Sequence, residues 1–145
     1  MDLMQAMDIA ASGMAAQRTR LNIISMNLAH ANTTRTGDGT PYRRKTPIFE
    51  VVPVLDPFIS PFQNTLDQEI SGVKVREIVP VRGEFKRVFD PSHPDADSNG
   101  YVQLPNVNLI EEMVQMLNAN RSYEASAAAI KTTKDMALRA LEIGR

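Results

Sequence analysis

The side chains best suited to binding an ion lie in one short segment that contains Asp95, Asp97 and Asn99. Oxygen ligands at alternate positions followed by a glycine match the first half of an EF-hand calcium loop. The twelfth position of such a loop is a bidentate glutamate, whereas this chain has Asn106 there. We therefore favour a simpler interpretation, a turn in which Asp and Asn side chains accept hydrogen bonds from their own backbone.

Other enzyme-like constellations are weaker still. His93 lies beside the same carboxylates, but oxygen-rich surface turns are common, so we predict a solvated loop and no bound metal. The sequence has no cysteine, no G-x-S-x-G elbow and no glycine-rich phosphate loop. We predict no catalytic residue and no cofactor, and we expect that the chain is not an enzyme.

Charge and hydropathy exclude further classes of partner. Lys plus Arg number 16 and Asp plus Glu 17, so the short basic run at residues 42–45 stands in a nearly neutral chain. Such a run is typical of a solvated or salt-bridged loop, and we predict no nucleic-acid partner. The uninterrupted apolar runs are too short to span a membrane, and the first residues lack the pattern of a cleavable secretory signal.

These motifs lie between two long, lightly charged stretches that carry a helical apolar repeat. Steps of four and three residues in the first stretch give Leu3, Met7, Ala10, Met14, Gln17, Leu21, Ile24, Leu28 and Ala31. The same steps in the second stretch give Leu109, Met113, Met116, Asn120, Tyr123, Ala127, Ile130, Lys134, Ala137 and Leu141. A seven-residue repeat kept this long forms a seam for another helix. We therefore predict two terminal helices that pair as an antiparallel coiled-coil-like hairpin.

The first helix also has apolar residues away from this seam, among them Ile9, Ala16 and Ile23. One neighbouring helix would not cover such a surface. Helices of this length should also project beyond a compact domain of this size. Projecting apolar helices need partners, which favours an assembly protein.

Three asparagines, Asn22, Asn27 and Asn32, recur at five-residue intervals near the end of the first helix. Asparagine is a poor helix former, so these side chains either bond across to neighbouring backbone or form a polar stripe that faces solvent. The sequence does not decide between the two. We also expect Asn32 to end the helix in a left-handed conformation and Asn108 to cap the start of the second helix.

Between the helices the sequence changes to short β-like runs, which gives a mainly α fold with a small β insert. We divide the chain into an N-terminal helix at 1–32, a loop and β-rich insert at 33–107, and a C-terminal helix at 108–145. The insert is predicted to contain strands at Ile48–Val52, Val73–Val81 and Phe85–Phe89, an irregular segment at Asp56–Ile70 and a turn-rich connector at Asp90–Pro105. Prolines interrupt these runs, so the strands should lie at sheet edges.

Several segments resemble bacterial flagellar axial proteins, the rod and hook subunits. Residues Leu21–Thr33 resemble the N-terminal signature of that family. The proximal-rod members in particular are similar at Asp90–Asp97, Gly100–Val102, Pro105–Asn108, Glu112–Met113, Arg121–Ala125 and Leu141–Arg145. The resemblance covers residues 1–45 and 88–145.

This resemblance implies a structural subunit of the flagellar rod, which crosses the periplasm and transmits torque. It implies terminal helices that stack against those of neighbouring subunits in a helical tube. The implied partners are copies of the same chain, other rod subunits, the adaptor between rod base and export gate, and the surrounding ring proteins. The implied location is the periplasmic rod of the basal body, reached by type III export without a cleavable signal peptide.

The predicted assembly interface consists of the apolar seam and two of the asparagines. Its residues are Leu3, Met7, Met14, Leu21, Ile24, Asn27, Leu28, Asn32, Met113, Met116, Tyr123, Ile130 and Leu141. A heterologous contact that repeats generates a helical filament rather than a closed dimer. The alternative function is that of a soluble coiled-coil adaptor or export chaperone.

Overall fold

The computed structural model describes residues 3–53 and 71–143, which fold in the order helix, four strands, helix. The elements are α1 (Leu3–Ala29), β1 (Lys45–Pro53), β2 (Ser71–Pro80), β3 (Lys86–Phe89), β4 (Tyr101–Leu104) and α2 (Leu109–Ile143). The predicted fold class, mainly α with a small β insert between long terminal helices, is confirmed. Neither helix, over its described length, is apolar enough to cross a membrane.

The two helices pack side by side and antiparallel, as predicted. Gly13 of α1 lies beside Ser126 of α2, and Asn27, farther along α1, lies beside Glu112 in the first turn of α2. At 1.5 Å per residue, the 35 residues of α2 extend about 52 Å. α1 has only 27 residues. The C-terminal helix is therefore the longer arm of the hairpin.

The inner face of α2 keeps the spacing of four and three residues. However, every second inner position lies one residue before the position that the predicted seam gives. The buried and half-buried positions with this spacing are Glu112, Met116, Ala119, Tyr123, Ser126, Ile130, Thr133 and Ala137. Most of the positions that differ from the predicted seam carry small side chains. Because the separation of packed helices depends on the side chains between them, these residues allow the helices to approach closely. Met113 and Leu141 are 53% and 71% exposed and do not lie between the two helices of one chain.

α1 has a second neighbour on another side, the hairpin of β1 and β2. The hydroxyl of Ser12 accepts a hydrogen bond from the N–H of Val73 at 3.1 Å. Ala16, Ile23 and Ile24 are buried, each at 4% exposure or less. The prediction that one helix would not cover α1 is therefore confirmed.

The four strands form two separate antiparallel hairpins, β1–β2 and β3–β4. The first hairpin pairs Lys45 with Pro80 and has a bulge after Ile48, and the second pairs Phe89 with Tyr101. β1, β2 and β3 overlap predicted strands, whereas β4 falls within the predicted connector. In a two-stranded sheet both strands are edges, which accommodates the prolines of β1 and β2. The predicted irregular segment Asp56–Ile70 lies outside the described residues.

The two predicted helix ends have different outcomes. The side chain of Asn108 accepts a hydrogen bond from the N–H of Ile110 at 3.1 Å, so this residue caps α2 as predicted. At the end of α1 the N–H of Ala31 donates to the C=O of Leu28, and no described non-glycine residue has a positive φ. The prediction of a left-handed Asn32 is therefore wrong, because a tighter turn satisfies the last carbonyls.

Ala119 tests the close approach of the two helices. It is 1% exposed, so Ala119→Leu should overpack the seam and lower the free energy of unfolding by about 1–3 kcal/mol. Urea denaturation followed by circular dichroism measures this change. Ala128→Leu, at an exposed position of the same helix, should change it by less than about 0.5 kcal/mol. Equal effects of the two substitutions would contradict the packing.

Candidate functional site

Three buried side chains and one half-buried arginine form a polar cluster where the two helices meet the first hairpin. They are Asn27 from α1, Tyr42 and Arg44 from the segment before β1, and Glu112 from α2. We refer to these four residues as the polar cluster. It joins parts of the chain that are as many as 85 residues apart.

Glu112 is the charged centre of the polar cluster and is completely buried. Its Oε2 accepts a hydrogen bond from Nδ2 of Asn27 at 3.0 Å, and its Oε1 accepts one from Nε of Arg44 at 2.5 Å. A carboxylate is tolerated inside a protein only when it is paired and hydrogen-bonded in this way. Its place in the first turn of α2 also puts the negative charge at the positive end of the helix dipole.

Asn27 uses all the hydrogen-bonding capacity of its amide. Nδ2 donates to Glu112 and to the C=O of Lys45, while Oδ1 accepts from the N–H of Lys45 and from the hydroxyl of Tyr42. The side chain thus binds both backbone groups of Lys45, as a neighbouring strand would. Asn22 and Asn32 are exposed. Of the two interpretations left open for the asparagines, backbone bonding applies to Asn27 and solvent exposure to the other two.

Tyr42 closes the polar cluster from the side of the loop. Its ring stacks on His30 with 4.8 Å between ring centroids. Burial raises the pKa of the Tyr42 hydroxyl, and the nearby carboxylate of Glu112 raises that pKa further.

The residues of the basic run have different contacts. Tyr42 and Arg44 belong to the polar cluster, whereas the guanidinium of Arg43 lies over the ring of Phe85, 4.4 Å from its centroid. The interpretation of the run as a salt-bridged loop is confirmed by the pair of Arg44 and Glu112.

The acidic segment after β3 forms local turns and also contacts the segment after α1. Oδ1 of Asp97 accepts a hydrogen bond from the N–H of Asn99 at 2.6 Å, and Oδ2 of Asp95 accepts one from the hydroxyl of Thr34 at 2.7 Å. Within residues 3–53 and 71–143, no three His, Asp or Glu side chains converge to hold a metal ion. The favoured interpretation, Asx side chains bonded to backbone, describes the geometry at Asp97 and Asn99.

The predicted interface residues fall into three groups by burial. The half-buried ones are Leu3, Met7, Met14, Leu21, Leu28, Met116, Tyr123 and Ile130. The buried ones are Ile24 and Asn27, and the exposed ones are Asn32, Met113 and Leu141. The structure holds one copy of the chain, so contact with another subunit remains a prediction for all of them.

The outer face of α2 carries an apolar surface that no other described part of the chain covers. Its residues, which we call the outer stripe, are Ile110, Met113, Val114 and Leu117, exposed at 74%, 53%, 51% and 61%. Their spacing of three and four residues places them on one side of the helix. Contiguous exposed apolar surfaces mark sites of interaction with other proteins.

Sequence reasoning missed Tyr42, Arg44 and Glu112 as a unit. The available signal was Glu112, which lies one residue before the predicted seam position Met113 and, four residues before Met116, on the same helix face as that residue. An acid in a helix seam requires a buried donor, and the basic run before β1 supplies one.

Glu112→Ala tests the polar cluster. The substitution removes the acceptor for Arg44 and for Nδ2 of Asn27, so the free energy of unfolding should fall by about 3 kcal/mol. Glu111→Ala, at an exposed acid in the same helical turn, should change it by less than about 0.5 kcal/mol. Chemical denaturation of the three proteins measures both changes. A fall of the same size in both variants would show that the pair of Arg44 and Glu112 contributes no more to the free energy of unfolding than an exposed acid does.

Tyr42 should make stability depend on alkaline pH. Its pKa in the folded chain lies above the ordinary 10.0, so its contribution is fully present below about pH 10 and is lost as the pH rises through the raised pKa. The difference in unfolding free energy between the wild type and Tyr42→Phe should therefore stay constant at neutral pH and shrink above pH 10. Denaturation at a series of pH values measures it. A constant difference over the whole alkaline range would contradict this prediction.

Comparison with known proteins gives consistent matches along the whole chain. A family model described as "Flagella basal body rod protein" matches residues 7–35, and one described as "Flagellar basal body rod FlgEFG protein C-terminal" matches residues 98–143. The two ranges contain Asn27 and Glu112, the two members of the polar cluster that lie on the helices.

Relatives of known name extend these matches through the middle of the chain. The flagellar basal-body rod protein FlgC of Aquifex aeolicus is 44% identical over 98% of this chain and 97% of its own length. FlgC of Borreliella burgdorferi is 43% identical over 99% and 98%, and FlgC of Salmonella typhimurium is 40% identical over the full length of both chains. The chain belongs to the FlgC family of flagellar basal-body rod proteins.

Proposed function

We propose that this chain is a structural subunit of the flagellar proximal rod, and that its two helices pack against neighbouring subunits in the wall of a helical tube. The outer stripe is the observation that carries this proposal. Its four apolar side chains lie on the longer helix and are more than half exposed. A monomer gains nothing from such a surface, whereas a packed wall of helices buries it.

The small core of the single chain supports the same proposal. In the described residues, seven apolar residues are buried, of which three are alanines, while twenty large apolar residues are exposed. Burial of apolar surface is the main favourable term in both folding and association. A chain that keeps so much of this surface outside its own core is suited to gain stability from assembly.

Family membership supports a place in the basal body and assembly with other flagellar rod components. It also supports a structural rather than an enzymatic role. The function of a soluble adaptor or export chaperone is not favoured, because the relatives are named as rod proteins.

The proposal extends to partners and location in finer detail. The partners would be copies of this chain, other rod subunits, the adaptor at the rod base and the surrounding ring proteins. The location would be the periplasmic part of the rod, reached by type III export without a cleavable signal peptide. A tube of subunits that each hold a fixed helix pair would transmit torque across the periplasm.

Leu117→Glu tests the proposal at the outer stripe. Leu117 is 61% exposed, so a charge there should leave the fold of the single chain intact but place an unpaired charge in the subunit contact. In flagellated cells that make only this variant, we expect loss of swimming and loss of complete rods, with normal protein levels. Swimming assays and electron microscopy of basal bodies measure these outcomes.

Asn118→Glu is the matched control, because it adds the same charge at the next residue, which is exposed beside the stripe. Cells with this variant should swim. Normal swimming of the Leu117→Glu cells would overturn the proposed contact. Circular dichroism of both purified variants establishes that the fold is retained.

A further inference from the structure

One edge of β1 has backbone groups to which no described residue is bonded. In an antiparallel hairpin, the N–H and C=O of alternate residues point away from the partner strand. On β1 these are the odd-numbered residues, because Asn27 binds both groups of Lys45 from outside the hairpin. Phe49 and Val51 therefore direct their N–H and C=O outward, and no described residue hydrogen-bonds to those groups.

The bonds of β2 confirm this alternation beyond the bulge. Val73 pairs with Val51, and its N–H donates to Ser12 of α1 instead of to β1. The pair of Val51 and Val73 is thus one whose backbone groups point away from each other. Pro47 and Pro53, which lack an N–H, bracket the free part of the edge.

Within residues 3–53 and 71–143, the outer edge of β3 also has unbonded backbone groups. The N–H of Asp90 donates to the C=O of Gly100, so the even-numbered residues of β3 direct their backbone groups toward β4. Arg87 and Phe89 then direct their backbone groups away from β4. No other helix or strand of the described residues packs against β3, and all four of its residues are exposed.

Among the described residues each hairpin has two strands. A two-stranded hairpin is marginally stable in water unless a further strand or a helix packs on it. α1 packs against the first hairpin, whereas no helix of the described residues packs against the second. Three of the four outward residues are apolar and exposed, Phe49 at 38%, Val51 at 68% and Phe89 at 63%, and the fourth is the exposed Arg87. An edge of this kind is a template for pairing with another chain.

Charge decides which two edges fit each other. Glu50 lies between the two free residues of β1, and Lys86 lies on β3. If β1 paired with β1 of another copy so that Phe49 met Val51, two Glu50 side chains would face each other, and like charges opposite one another are destabilising. The basic β3 strand carries the opposite charge.

We infer that β1 of one copy pairs antiparallel with β3 of a neighbouring copy, so that two hairpins become one four-stranded sheet. The register that uses all the free backbone groups sets Phe49 opposite Phe89 and Val51 opposite Arg87. Glu50 then faces Val88 and has Lys86 on one diagonal, within reach of a long side chain, and Asp90, whose carboxylate is bonded to Ser92, on the other. The inference rests on the proposed function, since it takes copies of this chain to be neighbours in the rod.

Disulfide cross-linking tests this pairing, because the chain has no cysteine of its own. Glu50→Cys and Val88→Cys, made in separate copies and co-expressed in flagellated cells, should give a cross-linked heterodimer in purified basal bodies after mild oxidation. Residues directly opposite in adjacent strands have Cβ atoms about 4.5–5.5 Å apart, close enough for a disulfide after slight adjustment.

Lys74→Cys is the matched control, since Lys74 pairs with Glu50 inside the hairpin and lies one strand farther from the proposed partner. Together with Val88→Cys it should give no cross-link, because two strand spacings amount to about 9.6 Å. Glu50→Cys alone should give none either. A homodimer of that variant, or basal bodies that contain both variants without a heterodimer, would overturn the inference. Absence of both variants from basal bodies would instead contradict the proposed function.

A charge exchange gives a second, independent test. Glu50→Lys or Lys86→Glu alone should reduce the number of complete rods per cell, and both substitutions in one chain should restore it. Failure of the double variant to exceed either single variant would count against the pairing of these edges.

Discussion

When a carboxylate is buried, protein donors must replace its lost hydrogen bonds to water, and the burial of Glu112 therefore constrains the path of the whole chain. Desolvating an ion costs several kcal/mol, so Glu112 can lie inside the helix pair only while Arg44 and Asn27 contact it. The segment after α1 therefore has to run back to the start of α2. That path sets where β1 begins, because Asn27 also holds both backbone groups of Lys45.

The same helix pair divides its side chains between inside and outside in an unusual way. Small residues such as Ala119 and Ser126 lie in the seam, while larger ones such as Ile110 and Leu117 lie outside. Larger side chains such as Ile24 and Met116 also lie in the seam, and the polar cluster adds its hydrogen bonds near the start of α2. The apolar side chains of the outer stripe remain exposed. In the proposed function the outer stripe provides the attraction between subunits, while the polar cluster fixes the fold of each one.

The sequence predicted the parts of this fold that depend on local pattern. The two helices, their antiparallel pairing and three strands follow from periodicity, and the cap at Asn108 follows from its position before an apolar repeat. The predicted inner face of α2 differs from the observed one because the prediction placed large apolar residues such as Met113 in the seam. In the structure, close packing of the helices instead places small residues such as Ala119 there. β4 was missed because its four residues follow a long turn-rich segment and pair only with β3. The polar cluster was missed because its bonds join residues 15 to 85 positions apart, which no local pattern records.

A cryo-electron microscopy map of the intact basal body would show whether each copy contains the polar cluster and whether neighbouring subunits cover the outer stripe. We expect Glu112 to contact Asn27 and Arg44 of its own chain in every copy, and other subunits to cover Ile110, Met113, Val114 and Leu117. A map in which Glu112 pairs with a different copy, or in which those four side chains face solvent, would contradict this expectation.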